Sequence, residues 1–265
     1  MKKICIVMTH YRRVYQLQRT LSSINKSLHK NINVIVVDDA SGCTLPEFNV
    51  DYPLDIIYIT EDEKKWTNPE VVYNKGIIKA LSYHPDIIFI QNAETMHVGD
   101  VISHAAENIT DNNYIVYACL SLDERSTFND SIDINQLAND CKREASVEGQ
   151  VAWYHHPTYR PCYLDFCAAI STDNMIKING YDERFIYGIA YGDNYLKHRI
   201  GLLGLKFETP EYPFTAHQWH YEGWYWQKRN GELYAKNSAL FSELVKTDQI
   251  KAEHIITSDF ESITD

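Results

Sequence analysis

At 265 residues the chain is long enough to form one large α/β domain. Its formal net charge of −11 argues against binding along the phosphate backbone of a nucleic acid, because such binding needs clustered Lys and Arg. The six cysteines include no C-x-x-C pair, which favours reduced, mostly buried thiols over a disulfide framework.

The amino-terminal apolar run, residues 4–8, is too short for a signal sequence or a membrane span. No later run approaches the roughly 18 consecutive apolar residues that a spanning helix needs. We therefore expect a cytoplasmic protein without a membrane span, and peripheral association at the inner face of the membrane is left open.

The amino-terminal part of the chain alternates strand and helix patterns. Residues 4–8, and residues 33–37 apart from Asn33, are apolar and rich in β-branched side chains, which predicts two buried strands. Between them, apolar residues recur at steps of three and four from Val14 to Leu28, which predicts an amphipathic helix. This strand–helix–strand unit predicts a parallel sheet with a right-handed crossover.

Two more strands and a helix are predicted next. Residues 55–59 form the third predicted strand, and Asn68 is the predicted N-cap of a helix with Pro69 at its first position. Residues 87–90 are four consecutive large apolar residues, which predicts a strand buried on both faces of the sheet.

The second and fourth predicted strands end in side chains that bind metals and hydroxyl groups. Asp38 and Asp39 close the second strand, while Asn92, Glu94 and His97 follow the fourth. Ligands of open α/β sheets bind at the carboxyl ends of the strands, so we predict the active site there. The sequence leaves open whether the two aspartates only form a turn or accept an N–H from a nucleobase.

The second half of the chain has a less regular pattern. The predicted elements are a helix at 98–108, a strand at 114–120, an aromatic loop at 153–161 that contains two prolines, a strand at 164–171, a helix from Asp193, and short strands at 205–208 and 212–216. Residues 121–150 are acidic and are interpreted as an insertion, partly helical near 134–145. It divides a domain of residues 1–230 into halves at 1–120 and 151–230, and residues 231–265 are predicted to form a helical surface tail.

Several motifs occur in a characteristic order over residues 4–220. They are the strand and helix of Ile4–Leu28, Val36-Val37-Asp38-Asp39-Ala40-Ser41, Asn74-Lys75-Gly76, Gly180-Tyr181-Asp182-Glu183-Arg184-Phe185, and Asp193 at the start of a helix. Together they resemble the GT-A fold nucleotide-sugar glycosyltransferases of the family 2-like group. The resemblance implies a Rossmann-like, mostly parallel central sheet flanked by helices, with a smaller carboxyl-terminal part that binds the acceptor.

The resemblance also implies roles for particular residues. Nucleotide-sugar binding is assigned to Thr9, Tyr11, Arg13, Asp38, Asp39, Asn74, Gln91 and Asn92. Binding of a divalent metal, Mn²⁺ or Mg²⁺, is assigned to Glu94 and His217, with His220 as the second choice. Acceptor binding is assigned to Tyr181, Asp182 and Glu183. It is also assigned to Trp153, His156 and Trp219, not from the resemblance but because flat aromatic faces with polar edges suit the CH-rich faces of sugars. The expected donor is a nucleotide-diphosphate sugar, with a UDP-sugar as the first choice. The expected acceptor is a glycan or a lipid-linked molecule in polysaccharide biosynthesis.

Asp193 is the residue to which the resemblance assigns catalysis. A carboxylate within hydrogen-bond reach of the acceptor hydroxyl takes its proton as attack proceeds, and a single base of this kind supports an inverting displacement. The alternative is that Asp193 merely begins its helix, where an acidic residue is favourable. The histidines and tryptophans also have an alternative interpretation, in which they are packing residues of a second small core.

Two departures from the family pattern bear on this assignment. The family usually has Asp-x-Asp after the central strand, whereas this chain has Asn92-Ala93-Glu94 and so has lost one anionic metal ligand. Gly192 stands where a carboxylate often precedes the base.

Two other functions compete with an inverting glycosyltransferase. The first is a catalytically inactive GT-A-like protein that binds glycans or nucleotides, which the altered Asn92-Ala93-Glu94 segment favours. The second is a nucleotidyltransferase, which would need a glycine-rich phosphate loop after the first strand, and residues 9–13 contain no glycine.

Overall fold

The computed structural model describes residues 1–144, 149–221 and 225–264, and the side chains of 225–230 and 264 lie outside that description. Within these ranges a central sheet of seven strands has the order β10-β6-β9-β4-β1-β2-β3. Its strands are β1 Ile4–His10, β2 Ile32–Asp39, β3 Leu54–Ile59, β4 Ile87–Asn92, β6 Asn113–Val116, β9 Cys167–Ser171 and β10 Lys206–Glu208. Only β9 runs antiparallel to its neighbours in this sheet, among the strands described. The prediction of a mostly parallel central sheet is therefore confirmed.

A second sheet lies beyond one end of β4 and has the order β5-β11-β7-β8. Its strands are β5 Thr95–Val98, β7 Cys119–Ser121, β8 Ala152–His155 and β11 Phe214–His217. Because β5 follows β4 after a two-residue turn, the chain passes directly from the central sheet into this smaller one.

The helices cover both faces of the central sheet. They are α1 Val14–Ile24, α2 Glu70–Leu81, α3 Val101–Asn108, α4 Glu124–Thr127, α5 Ile134–Asp140, α6 Thr172–Ile178, α7 Gly192–Leu202, α8 Tyr225–Leu244 and α9 Glu261–Thr264, with a 3₁₀ turn at Glu183–Phe185. Residues of α1 and α3 share one apolar core, and residues of α2, α6 and α7 share the core on the opposite face. None of the helices in the described ranges has the length and apolar character to cross a bilayer.

Close packing of α2 on the sheet depends on Gly76. A Cβ atom at this position would lie 2.4 Å from Cγ1 of Val7 and 3.0 Å from Cγ2 of Val37. The absence of a side chain lets the helix lie directly on β1 and β2, and this fixes the amino-terminal end of α2 near the carboxyl ends of those strands.

Several predicted elements differ from the structure. The strand predicted at 114–120 is divided into β6 and β7, which belong to different sheets. The loop predicted at 153–161 begins as β8, because its prolines, at 157 and 161, follow the strand and do not interrupt it. The helix predicted at 98–108 begins only at Val101, after Asp100 accepts a hydrogen bond from the Ser103 N–H at 3.0 Å.

The carboxyl-terminal segment packs more deeply than the surface helix that the sequence predicts. Leu244 at the end of α8 is 7% exposed, and Phe260 is fully buried in the core that includes α2 and α6. In the insertion, α5 agrees with the predicted helical region, of which residue 145 lies outside the described residues. All six cysteines are free thiols, as predicted.

Candidate functional site

The functional side chains meet at one edge of the central sheet. The parallel strands β1, β2 and β4 all end at this edge. Because β9 runs antiparallel to β4, its start lies there too, and the N–H of Asn92 donates to the carbonyl of Phe166 at 3.1 Å. The first turns of α2 and α7 complete a cavity of about 180 Å³. Its polar lining includes Glu70, Tyr73, Asn92, Asp165, Tyr181 and Asp193.

The carboxyl groups of Asp193 and Asp165 both line this cavity, and their charges interact. Burial raises the pKa of Asp165 to about 8, and the neighbouring charge of Asp193 adds to the rise. Burial also raises the pKa of Asp193, against the opposing effects of the Asn194 N–H and the charge of Lys197. The hydroxyl of Tyr181 donates to Oδ2 of Asp165. At neutral pH the two carboxyl groups therefore hold a proton more readily than ordinary aspartates do.

Two stacked tyrosines form one wall of the cavity. The rings of Tyr73 and Tyr181 lie 4.6 Å apart at an interplanar angle of 15°. The Tyr73 hydroxyl donates to Oδ1 of Asn92 at 2.7 Å and also bonds with the side chain of Thr9. Predicted nucleotide-sugar residues Thr9 and Asn92 are thereby joined to the same wall as the predicted acceptor residue Tyr181.

A second group of side chains lies around Glu94, in the turn between β4 and β5. Nε2 of His217 is 3.4 Å from Oε1 of Glu94, and Nε2 of His220 is 3.7 Å from the same oxygen. One ligand atom from each of these three buried residues lies within 4.8 Å of the others. Nη1 of Arg13 is 2.5 Å from the same Oε1.

The charge of Glu94 is maintained by these neighbours. Burial by itself would raise the pKa of Glu94, but the guanidinium and the two imidazoles hold it well below its usual range. A carboxylate with two imidazoles is a donor set that suits a transition metal such as Mn²⁺. The residues present thus fit the metal expected from the sequence, and Arg13 would share or yield the common oxygen.

Asp39 and its partners lie at the end of β2. Nζ of Lys64 is 2.7 Å from Oδ2 of Asp39, and Nε1 of Trp66 donates to Oδ1 at 3.0 Å. Burial raises the pKa of Asp39, and Lys64 opposes the rise. The half-exposed ring of Tyr11 lies 4.7 Å from Nζ of Lys64, measured to the ring centroid. Tyr11, Lys64 and Asp39 therefore form one continuous surface.

Three predicted nucleotide-sugar residues are structural instead. Asp38 is buried and bonds with Nδ1 of His10 at 2.7 Å and with the Ser41 hydroxyl at 2.6 Å. Gln91 is fully buried, and its Nε2 donates to the carbonyl of Thr95. Asn74 is fully buried and bonds both the N–H and the carbonyl of Tyr181 at 2.9 Å. Their polar atoms are used inside the fold, which corrects the assignment.

The same correction applies to Asp182 and Glu183, which were assigned to the acceptor. Both are fully buried. Asp182 is paired with Arg184 at 2.7 Å, and Oε2 of Glu183 accepts the N–H groups of Ile255 and Ile256 at 2.7 and 2.6 Å. The two carboxylates anchor the carboxyl-terminal segment.

The predicted aromatic acceptor residues separate into two places. Trp153 is 3% exposed and donates to the carbonyl of Cys141, so it belongs to the core of the second sheet. His156 is 8% exposed and packs on Trp153 at 4.4 Å between ring centroids. Trp219 is partly exposed and lies 6.1 Å from Phe128, beside α4. Only Trp219 of these three remains available to a ligand.

His97, which the sequence places beside the active site, lies in the interior. Its Nε2 bonds with Oε1 of Gln91 at 2.9 Å, and burial lowers its pKa to about 4. The neutral imidazole is a packing residue between β5 and β9.

Four residues of the site were not found from the sequence. Lys64 and Trp66 belong to a charged loop whose contact with Asp39 carries no local signal. Asp165 was interpreted as part of a strand, although it precedes β9. Glu70 is typical of the first turn of a helix and so gives no hint of a ligand site.

Glu70 lies directly against Gly192, where the family pattern often has a carboxylate. A Cβ atom at residue 192 would be 1.9 Å from Oε1 of Glu70. Nδ2 of Asn68, the predicted N-cap, donates to that Oε1 at 2.7 Å instead of capping α2. A carboxylate from another helix thus fills the space beside Asp193.

Sequence similarity relates this chain to a known protein family. The profile of glycosyl transferase family 2 matches residues 5–164. No curated protein has a significant sequence match to this chain.

Solved structures share the fold. S. aureus TarS 1–349 in complex with UDP is similar with a TM-score of 0.60 and 11% identity, covering 99% of this chain and 69% of that one. The same protein in complex with UDP-GlcNAc has a TM-score of 0.55 and 13% identity over 99% and 70% of the two chains. The mannosyltransferase PcManGT from Pyrobaculum calidifontis, in complex with GDP-Man and Mn²⁺, has a TM-score of 0.50 and 12% identity over 99% and 68%.

These neighbours are GT-A glycosyltransferases, and their central sheets confirm the predicted fold class. Because the family profile also covers more than half of the sequence, this chain is a glycosyltransferase that belongs to glycosyl transferase family 2.

Proposed function

We propose that this enzyme transfers a sugar from a nucleoside diphosphate donor, first a UDP-sugar, to a hydroxyl group of a glycan or lipid-linked acceptor, with inversion at the anomeric carbon. The observation that carries the proposal is the position of Asp193. Asp193 lies in the first turn of α7 and is partly exposed to the cavity at the edge where the parallel strands end. Burial raises the pKa of its carboxyl group.

In the reaction, the acceptor oxygen forms a bond to the anomeric carbon while the bond from that carbon to the diphosphate oxygen breaks. The acceptor proton passes to the carboxylate of Asp193. A raised pKa makes Asp193 a stronger base than an ordinary aspartate, provided that it is ionised when the acceptor binds. The Tyr181 hydroxyl holds the neighbouring Asp165, and the Asn194 N–H holds one oxygen of Asp193.

The leaving diphosphate develops negative charge and needs positive groups nearby. Arg13 is partly exposed, and its planar guanidinium suits phosphate oxygens. Glu94, His217 and His220 would hold a divalent metal, which when bound supplies charge stabilisation to the diphosphate. Asp39, with Lys64 and Tyr11 beside it, is the proposed contact for the base.

Isothermal titration with UDP, GDP and TDP, each with and without Mn²⁺, tests the donor part of the proposal. We expect UDP to bind, and to bind more tightly with Mn²⁺. Absence of binding by all three nucleotides at millimolar concentration would contradict it. The supporting matches are the family profile and the neighbours whose structures contain UDP, UDP-GlcNAc and GDP-Man.

The configuration of the product tests the inverting mechanism separately. Once a donor turns over, proton NMR of the first product distinguishes a β-linkage from an α-linkage. Formation of the anomer opposite to that of the donor is the expected result, and retention would exclude a single-base displacement.

A further inference from the structure

The side of the cavity that contacts α2 carries an unusual concentration of carboxyl groups. Glu70, Asp165 and Asp193 all line it. Among the described residues that line the cavity, none is Lys, Arg or His. Lys197 is the nearby cation that affects Asp193, but its Nζ donates to the carbonyl of Cys162 at 2.9 Å.

In each of these three residues a hydrogen bond from a neighbouring group holds one carboxylate oxygen. Asn68 donates to Oε1 of Glu70, the Tyr181 hydroxyl donates to Asp165, and the Asn194 N–H donates to Asp193 at 2.7 Å. These hydrogen bonds fix the positions of the three carboxyl groups, so their proximity does not result from the chance approach of mobile side chains.

Glu70 has a second oxygen that the fold does not use. The residue is 2% exposed, and its Oε2 has no hydrogen-bond partner among the described residues. A buried carboxylate oxygen without a partner is costly, so its persistence at a cavity wall requires an explanation. Burial, together with the charges of Asp193 and Asp165, raises the pKa of Glu70 well above its usual range. Glu70 thus lacks a positive partner among the residues that the structure describes.

Glu70 does not belong to the converging set of metal-ligating residues described above. In the described part of the chain, the set of three ligand atoms that converge closely enough for one ion is the Glu94 set, and it does not include Glu70. The carboxyl groups instead surround a space of about 180 Å³, which is larger than an ion needs. A ring that carries a positive group fits this arrangement.

We propose that this cavity binds a sugar ring that bears an ammonium group, and that Glu70 contacts that group through Oε2. The inference rests on the proposed function, since it treats the cavity as the place of a sugar. An ammonium group donates three hydrogen bonds and compensates the charge of the surrounding acids, which a hydroxyl group does not do. The sugar is either the one transferred or the one that accepts.

Two pairs of probes separate these sources. UDP-glucosamine against UDP-glucose tests the donor sugar by isothermal titration. Methyl glucosaminide against methyl glucoside, with and without UDP, tests the acceptor by saturation-transfer NMR. Within each pair an ammonium group replaces a hydroxyl group of similar size. We expect the amino compound of one pair to bind about tenfold more tightly, as is typical of a charge-assisted contact.

Variants connect the preference to Glu70. Glu70→Gln keeps the acceptor for Asn68 and removes the charge, so the preference should fall towards unity while binding of UDP alone is unchanged. Glu107→Gln, an exposed substitution on α3, is the matched control and should keep the wild-type ratio. Because burial raises the pKa values of Glu70 and Asp165, binding of an ammonium group should ionise a protonated acid and release its proton, which titrations in buffers of different ionisation enthalpy measure.

The results distinguish this inference from the proposed function. Equal affinity within both pairs, no binding of any sugar, or a preference that Glu70→Gln leaves unchanged would overturn the inference, even where UDP binds. Failure of UDP to bind would instead contradict the donor assignment, while the methyl glycosides without nucleotide would still report on the cavity.

Discussion

Nη1 of Arg13 lies 2.5 Å from Oε1 of Glu94, the same oxygen that faces Nε2 of His217 and of His220. One carboxylate oxygen is thus shared by a guanidinium and by the two imidazoles that would hold a metal. Because two cationic groups cannot both occupy the best position at one oxygen, Arg13 and a divalent ion compete there.

Arg13→Ala is therefore expected to increase the affinity for Mn²⁺ in the absence of nucleotide. The variant removes the competing charge and leaves Glu94 ionised next to two imidazoles. Titration of Mn²⁺ followed by electron paramagnetic resonance measures the change. An unchanged or weaker affinity would show that the guanidinium does not compete for this oxygen.

His217→Ala is expected to weaken binding of Mn²⁺ in the presence of UDP by at least about tenfold, because a direct ligand is lost. The measurement is the same titration. His84→Ala removes an exposed imidazole beyond the end of α2 and is the matched control, expected to behave as wild type. Equal affinities in all three proteins would exclude His217 as a ligand.

Asp193→Asn is expected to lower the rate of transfer by about 10²- to 10⁴-fold, the range typical of a lost general base. Binding of UDP, measured by titration calorimetry, should not change, since the amide has nearly the same shape. A variant with the wild-type rate would favour the alternative in which Asp193 only begins α7. A wild-type protein with nucleotide binding and no transfer would favour the inactive binding protein.

The acidic limb of the pH profile of transfer activity is expected at a pH well above the pKa of an ordinary carboxyl group. The general base must be ionised. Burial raises the pKa of Asp193, and it raises the pKa of the neighbouring Asp165 to about 8. Activity should therefore fall as the pH decreases through the ionisation of this pair.

Asp165→Asn tests the coupling between the two carboxyl groups. It removes the member of the pair whose pKa is about 8, so the acidic limb of kcat/KM should then follow Asp193 alone and move to lower pH. The limb of a Glu107→Gln control should not move. A shift to higher pH, or no shift, would contradict the assignment.

Glu183→Gln is expected to lower the free energy of unfolding at neutral pH by about 2 kcal/mol, because Glu183 accepts charge-assisted bonds from Asn74 and the Ile255–Thr257 backbone. Although burial opposes it, these bonds lower the pKa of Glu183 in the folded protein. The stabilisation is complete above the unfolded-state pKa of about 4.3 and is lost as the pH falls through the lower folded-state pKa.

Urea denaturation of wild type and variant at about pH 7 and about pH 4 measures this effect, and the difference between the two proteins should decrease at the lower pH. The KM of any identified acceptor should be the same for both proteins. A large change in KM without a change in stability would return Glu183 to the acceptor site.

Local sequence patterns were sufficient to predict the strand–helix–strand start of the fold. The apolar spacing in residues 4–37 is set by which side chains each element buries, and burial leaves a direct record in the sequence. The same argument placed Asp39, Glu94 and Asp193 at the ends of elements. Asp39 and Glu94 lie at one edge because parallel strands end on the same side of a sheet, whereas the position of Asp193 at the start of α7 does not follow from strand direction.

Other parts of the site depended on the tertiary structure. Asp165 reaches the cavity because β9 is antiparallel, and strand direction leaves no mark on the periodicity of residues 164–171. The strand pattern at 114–120 gave no sign that the chain changes sheets between β6 and β7, because both segments are buried.

The sequence by itself determined the α/β class, since this depends on short-range spacing, and it predicted the edge where ligands bind. The residue proposed as the base, Asp193, came from the resemblance of the motifs around it to a known family. Only the tertiary structure decided that Glu70 lies on Gly192, that Asn74 and Glu183 are structural, and that Glu94 meets His217 and His220. Those contacts join segments far apart in the chain. Their existence depends on how helices and strands pack, which a local pattern of apolar residues does not encode.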